Sequence, residues 1–548
     1  MNFFERQLHA VVALACVSLS SLFFIACSES SGSEGGEDGE KSLTLCSDTK
    51  PSKRFSGKGT ASEPYLISDA SDMLLFIEYA SENETEGKHF SLKNDLYVSP
   101  DFSWSAIGNS IHPFRGIFDG ENHTISGSLN FARMQNVPDY DGVPVDSAYF
   151  YDYGHYFGLF GYCSNFEIRN LNVTADAKLM VKIDYNSPSN RLLYLSNLVA
   201  YGFDGVIENC NVVGDLSSAS AGCVISSTDD GFCMGHVCAY AHYIQIDNCS
   251  ADGDLTCLNV LSTEMMVGGV CGNLFDSNIT NCEHSGDMQV SYANSNALRV
   301  GGVVGKLMYF SSPSTLCISN CSNSGSLKSD MYVRGETAFC SLGGIVGYAL
   351  SSFSIDNCIN TAQIINNRST FNGESQMLYC GVGGIVGECY GDKEYTFVAN
   401  CTNKAQNIYS MPLYGEGSSF NCVGGIGGRI YEANCQNCTN EGVVRYTYGE
   451  LVEPVHMGGI AGDFVADGNE LHDCTNKGNV VGGNPESNFT GAIVGTYSDK
   501  SGLKEPCIYD CNVNSGFVSN ANNEEKLAGF VFGSDPFGSY IKPCPAGE

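Results

Sequence analysis

Positive charge is scarce in this chain of 548 residues. Lys and Arg number 28 against 61 Asp and Glu, charged residues make up 16%, and the formal net charge is -33. Such a balance argues against nucleic acid and anionic membrane surfaces as partners, because both are held by Lys and Arg. A polyanionic substrate is equally disfavoured unless calcium bridges the two. Tryptophan is reduced to Trp104. Beyond the first 26 residues no apolar run is long enough to span a bilayer. There is no His-Glu-x-x-His zinc-protease signature and no Gly-x-Ser-x-Gly nucleophile elbow. Glycine, at 63, and cysteine, at 26, are abundant instead.

Much of that glycine and cysteine sits in a phrase that repeats. Val300-Gly301-Gly302-Val303-Val304-Gly305 is followed by Ile318-Ser319-Asn320-Cys321-Ser322-Asn323-Ser324-Gly325. Gly343-Gly344 pairs in the same way with Asn357-Cys358, Gly383-Gly384 with Asn400-Cys401, Gly424-Gly425 with Asn437-Cys438, and Gly458-Gly459 with Asp473-Cys474. From Cys210 to Cys511 the second element recurs nine times at steps of 33 to 43 residues. Self-similarity at that period predicts a solenoid whose coils contact only their neighbours. Each repeat has room for three short strands, one on the Gly-Gly run, one around Asn-Cys and one after the closing glycine, which is one coil of a parallel β-helix. The Asn-x-x-Asn pair is expected to form side-chain ladders at a bend.

Residues 1–26 read as an export signal, with Arg6 before an apolar run from Val11 to Ala26. Ala26-Cys27 resembles a bacterial lipobox, which would make Cys27 the lipid-modified first residue. Residues 27–55 form an acidic tether, self-repelling and flexible. Acidic residues at that place resemble the surface-export signal of Bacteroidetes lipoproteins. Residues 56–130 read as a capping module with a helix that Ser68 caps and that runs to about Ala80. Residues 131–526 carry the repeats, and 527–548 read as the C-terminal cap coil and tail.

The Gly-rich strand followed by Asn-Cys-x-Asn-x-Gly resembles the GLUG-motif repeats of bacterial surface proteins. Gly158-Leu159-Phe160-Gly161-Tyr162 is an early form, and Gly57 to Gly127 resembles the segment that precedes such repeats in Bacteroidetes lipoproteins. The resemblance implies an all-β, right-handed parallel β-helix with a helix-containing N-terminal cap, displayed on a cell surface and adhesive. It implies no assigned site.

A cysteine held at one phase of every coil is read as an inward ladder of small hydrophobes, reduced rather than bridged. Cys340, Cys380 and Cys422 are expected to form a second column. Cys435 and Cys438 make one C-x-x-C, too weak by itself for a zinc or redox site. Asp229-Asp230 with Gly235-His236 resembles a polygalacturonase pattern, but the spacing is wrong and the basic substrate clamp is missing. No catalytic residue, metal or cofactor is assigned.

Ligand candidates lie in the unequal segments before each glycine pair: Tyr332, Phe371, Tyr379, Tyr409, Tyr414, Tyr446, Tyr448 and Glu450. Stacked coils would line them along one edge, where rings face sugars or peptides and carboxylates accept from hydroxyls. Alternatively the rings fold back onto their own coils. A second candidate is the loop carrying Asp141, Tyr149, Tyr151 and Tyr153, whose aspartates lack a regular calcium-ligand spacing. The expectation is a monomeric, non-catalytic adhesin or binding scaffold. It would sit on the outer membrane facing the cell exterior, take an extracellular glycan or host glycoprotein as partner, and meet the membrane through its lipid alone. A polysaccharide-active enzyme is the alternative, and a passive spacer the third possibility.

Overall fold

The computed structural model describes residues 42–131, 155–179, 193–218, 225–227, 231–262, 264–293, 297–310, 317–333, 337–370, 377–392, 396–405, 408–410, 419–446, 455–482, 488–499, 508–509, 512–519 and 541–542. The chain divides into two units, Met1–Lys41 and Ser42–Glu548, and every described residue belongs to the second. Cys27, the loop with Asp141, Tyr149, Tyr151 and Tyr153, and the residues Asp229, Asp230, Phe371, Tyr414, Tyr448, Glu450 and Cys511 lie outside the described residues, as does the tail apart from Ile541–Lys542. No described helix is long and apolar enough to cross a membrane.

Coil upon coil adds one strand to each of three long stacks, and the named strand pairs run parallel. One full coil runs Thr337–Gly343 on the first sheet, Val346–Ser351 and Ser354–Asp356 on the second, then Ile359–Asn360 and Ile364–Thr370 on the third. Side chains alternate, so Leu298 and Val300 are buried in the shared core while Arg299 between them faces away. The register repeats without slip along that column: Val300, Leu342, Val382, Val423, Met457. This is a parallel β-helix.

The two halves of the repeat are coupled through the core. The first glycine of the pair ends the first-sheet strand and the second opens the bend to the second sheet, and Asn-Cys is the corner between the second and third. The first asparagine adopts left-handed backbone, with φ of 55° at Asn320, 50° at Asn357 and 54° at Asn400, a region asparagine tolerates better than most residues. The second asparagine points inward, under the second glycine. A Cβ on Gly344 would lie 2.3 Å from Cγ of Asn360 and 2.1 Å from the carbonyl oxygen of Gly384. Glycine is therefore what leaves room for the amide.

That amide is fully used. Nδ2 of Asn360 donates to Oδ1 of Asn403 at 3.0 Å and to the Ala362 carbonyl at 3.2 Å. Its Oδ1 accepts from Asn323 and from the Ala362 N–H, both at 3.2 Å. The ladder continues through Asn440, Asn476 and Asn514. The predicted side-chain ladder is present, and it satisfies corner groups that no strand reaches. In one coil the column and the glycine change together. Ala251 replaces the inward asparagine in the coil whose second glycine has become His236. His284 takes the asparagine's place one coil later and contacts Asn323 Oδ1 at 2.8 Å.

The cysteines of Asn-Cys are core residues, as expected. All 20 described cysteines are buried, and none is bridged to another. The expected second column is corrected at one member. Cys340 and Cys380 are in register, but Cys380 pairs with Asn421, and Cys422 pairs with Gly381. Cys422 sits two residues before its first glycine rather than three, so strand alternation turns it to the opposite face. At the N-terminus the helix, α1, spans Ala70–Glu82 and is capped by Asp69, not Ser68. The Asp69 carboxylate accepts from the Asp72 N–H at 2.9 Å. Met73, Phe76, Ile77 and Ala80 of α1 pack on the first coils, whose strands already join the long sheets.

Candidate functional site

Between the first and second sheets the outer surface turns inward. The side chains that face away from the core on these sheets meet across the resulting seam. On the second sheet the seam position is the residue after the third glycine of Gly-Gly-x-x-Gly: Asn273, Lys306, Tyr348, Glu388, Arg429, Asp463, Thr496. On the first sheet it is Met266, Arg299, Ser341, Gly381, Cys422, His456 and Phe489.

The N-terminal stretch of the seam is packed with tyrosine. Tyr156 stacks on Tyr194 at 5.4 Å, and Tyr201 lies between Tyr162 at 4.7 Å and Tyr240 at 5.1 Å. This is a closed aromatic cluster with Cys233 and Met266.

From Arg299 onward the seam is charged, and its ions are paired inside it. Arg299 is only 7% exposed. Its guanidinium lies 3.9 Å over the Tyr348 ring, donates to Ser341 Oγ at 2.5 Å, and sits 3.5 Å from Glu264 and 3.7 Å from Glu388. Lys306 shares Glu264 at 2.7 Å. Gly381 makes this reach possible, since a Cβ there would stand 2.3 Å from Cγ of Glu388. Three coils on from Arg299, Arg429 pairs with Asp463 at 3.2 Å and donates to the Tyr390 hydroxyl at 3.1 Å, with Phe420 at 5.0 Å and Tyr431 at 5.5 Å from its guanidinium carbon. A buried ion survives only when paired and hydrogen-bonded; each arginine is paired and hydrogen-bonded through Nη1, while Nε of each donates no hydrogen bond.

Asp463, Thr496 and His456 close the far end. The Thr496 hydroxyl donates to Asp463 at 2.8 Å and contacts Nδ1 of His456, whose ring lies between Phe420 at 4.4 Å and Phe489 at 5.1 Å. Burial pushes the Asp463 carboxyl above the usual carboxylate range, partly offset by Arg429. Burial, reinforced by Arg429, holds His456 down at about 4, so the ring is neutral near pH 7. Because the hydroxyl proton points to Asp463, the arrangement is not that of a nucleophile activated by histidine.

Two rims flank this charged floor. On the first sheet Phe339 stacks on Tyr379 at 5.2 Å with Phe420 in register beyond; Phe339 is 37% exposed. On the second sheet Tyr348, Tyr390 and Tyr431 follow one another at 5.6 and 5.1 Å. Of the aromatic residues singled out before the glycine pairs, Tyr379 stands on the first rim. Tyr446 does not: it is 6% exposed, and strand alternation turns it into the core beside Val444. Tyr332 and Tyr409 lie on third-sheet strands, Leu327–Val333 and Ile408–Ser410, away from the seam strands. His236 is fully buried with Nδ1 2.9 Å from the Gly269 carbonyl, out of reach of any substrate. The charged floor is not among the residues singled out from the sequence, although one polar residue after every third glycine was its signal.

No family model matches the chain. No curated protein matches it either. Among solved structures, the chain is similar to a Bacteroides ovatus protein described as a "putative immunoglobulin A1 protease", at 19% identity over 58% of this chain and 83% of that one, with a TM-score of 0.35. The fold assignment rests on the strand registers above.

Proposed function

We propose that this chain is a non-catalytic binding scaffold, lipid-anchored through Cys27 on the outside of the cell, whose seam receives a glycan or glycoprotein. The carrying observation is the pair of aromatic rims, Phe339 with Tyr379 and Tyr390 with Tyr431, over a floor whose ions already neutralise one another. Rings at such rims stack on the apolar faces of sugars, and a self-paired floor offers dipoles and hydroxyls rather than net charge. A neutral or weakly acidic sugar suits it better than a strong polyanion, given the net charge of -33. The lipid anchor rests on Ala26-Cys27 and the acidic residues after it, and the adhesive reading on the resemblance to GLUG-motif repeats.

A glycan and glycoprotein array tests it with the purified chain. Saturable binding to one class of sugar, with no reducing or unsaturated ends released on prolonged incubation, is the expected result. Product release would move the chain to the polysaccharide-active enzymes. An array without any saturable signal would leave a passive spacer.

A further inference from the structure

One coil departs from the cysteine ladder in a way that packing does not require. On the second sheet, just before the Asn-Cys corner, the core position is occupied in successive coils by Ile279, Ile318, Ile355, Val398, Cys435, Leu471 and Ile508. Six of the seven are aliphatic. Cys435 alone breaks the column, and it does so where two ladder cysteines pass on either side. The left-handed turn at Asn437, with φ of 50°, folds Cys438 back toward it, and Cys474 comes from the next coil. The three sulfurs lie within 4.8 Å of one another, all buried. Among the described residues no other three side chains of His, Cys, Asp or Glu gather so closely.

The dimensions suit one ion. Three sulfurs bound at about 2.3 Å to a common centre stand about 4 Å apart in a planar triangle. Cys435 and Cys474 are 3.8 Å apart. As thiols, two of the three sulfurs donate to backbone carbonyls, Cys438 to Gln436 at 3.3 Å and Val398 at 3.5 Å, and Cys474 to His472 at 3.4 Å and Cys435 at 3.7 Å, and these are the protons that binding would release. Val398 and Leu471 flank Cys435 in register on the neighbouring coils, and both are fully buried. Three soft thiol ligands with no carboxylate or imidazole in the group suit a soft, low-charge ion that accepts three sulfurs in a plane, where structural zinc takes four ligands and calcium takes oxygens.

We propose that Cys435, Cys438 and Cys474 form a three-coordinate site for a monovalent soft cation, copper(I). Each thiol that binds gives up its proton to solvent, so uptake strengthens with rising pH. No electron is transferred. Because the triangle is enclosed, the ion enters as these coils close during folding. Metal binding then contributes to the stability of the C-terminal coils.

The full chain, synthesised without oxygen in a cell-free reaction containing copper(I) buffered by glutathione, tests the site. Folded protein is recovered by gel filtration, its circular dichroism recorded, and its metal and X-ray absorption measured. One copper per chain with three sulfur neighbours is expected. Cys435→Val restores the aliphatic residue of its column, and its product should fold and carry no copper. Cys321→Ala removes a ladder thiol three coils away and should leave the copper in place. Folded wild-type protein without copper overturns the site. So does copper retained by C435V, and so does a loss in C321A as large as that in C435V, which would assign uptake to the ladder as a whole.

Discussion

The inner corner and the outer seam are built from neighbouring positions of the same repeat, yet they behave oppositely from coil to coil. At the corner, Asn323, Asn360, Asn403, Asn440 and Asn476 occupy one column, and each sits under a glycine. At the seam, Lys306, Tyr348, Glu388, Arg429, Asp463 and Thr496 occupy one column, and no two are alike. A buried amide whose partners are the same amide above and below has both its donor and its acceptor used when the rungs repeat, and only a group of matching polarity such as His284 can end the run. A charged seam is satisfied only if successive rungs differ, because like ions stacked about 4.8 Å apart would repel. Repetition therefore marks the part that holds the coils together. Variation marks the part that is free to be fitted to a ligand.

The largest expected effect breaks the corner. Gly344→Val places side-chain atoms against the Gly384 carbonyl and the Asn360 amide. A loss of about 3–5 kcal/mol is expected, read as a fall in the urea midpoint. Wild-type stability in this variant would show that the glycine is there for some other reason than the amide.

Acid sharpens the comparison at a coil where the corner has changed. Burial, with His284 nearby, holds His236 down at about 3, whereas the unfolded residue takes up a proton near pH 6.5. The folded state thus binds fewer protons in that window. The contribution is complete above pH 6.5 and is lost as pH falls toward about 3. Between pH 6.5 and 4 the wild type should lose about 3 kcal/mol more stability than a His236→Asn variant. Parallel pH profiles for the two proteins would remove His236 from the account.

Much of the coil was legible from spacing alone. The period, the inward cysteines and the asparagine ladder follow from residues that recur at one phase. What spacing did not reveal was where strands begin. Gly-Gly and Asn-Cys read as strand centres, but Asn320 and its equivalents are in left-handed backbone, so the motifs mark corners. Parity was the second obstacle. Cys422 is one residue nearer its glycine pair than Cys380 is to its own, and that step carries it from the core to the seam. Tyr446 shows the same difficulty in reverse, an aromatic residue that reads as a loop contact but alternates inward. The ion pairs of the seam join residues on strands up to two coils apart, as Arg299 joins Glu264 one coil before it and Glu388 two coils after, and no local pattern announces them.

The smallest effect on stability belongs to the rims, and it is the most direct test of the division between corner and seam. Phe339→Ala combined with Tyr379→Ala removes a half-exposed stack and should cost about 1 kcal/mol of stability. Titration calorimetry against the sugar found on the array should show affinity falling about tenfold or more. Ile359→Ala, on the exposed face of the third sheet, should bind as the wild type does. Undiminished affinity in the rim variant, or an equal loss in the Ile359 variant, would contradict the assignment of recognition to the seam.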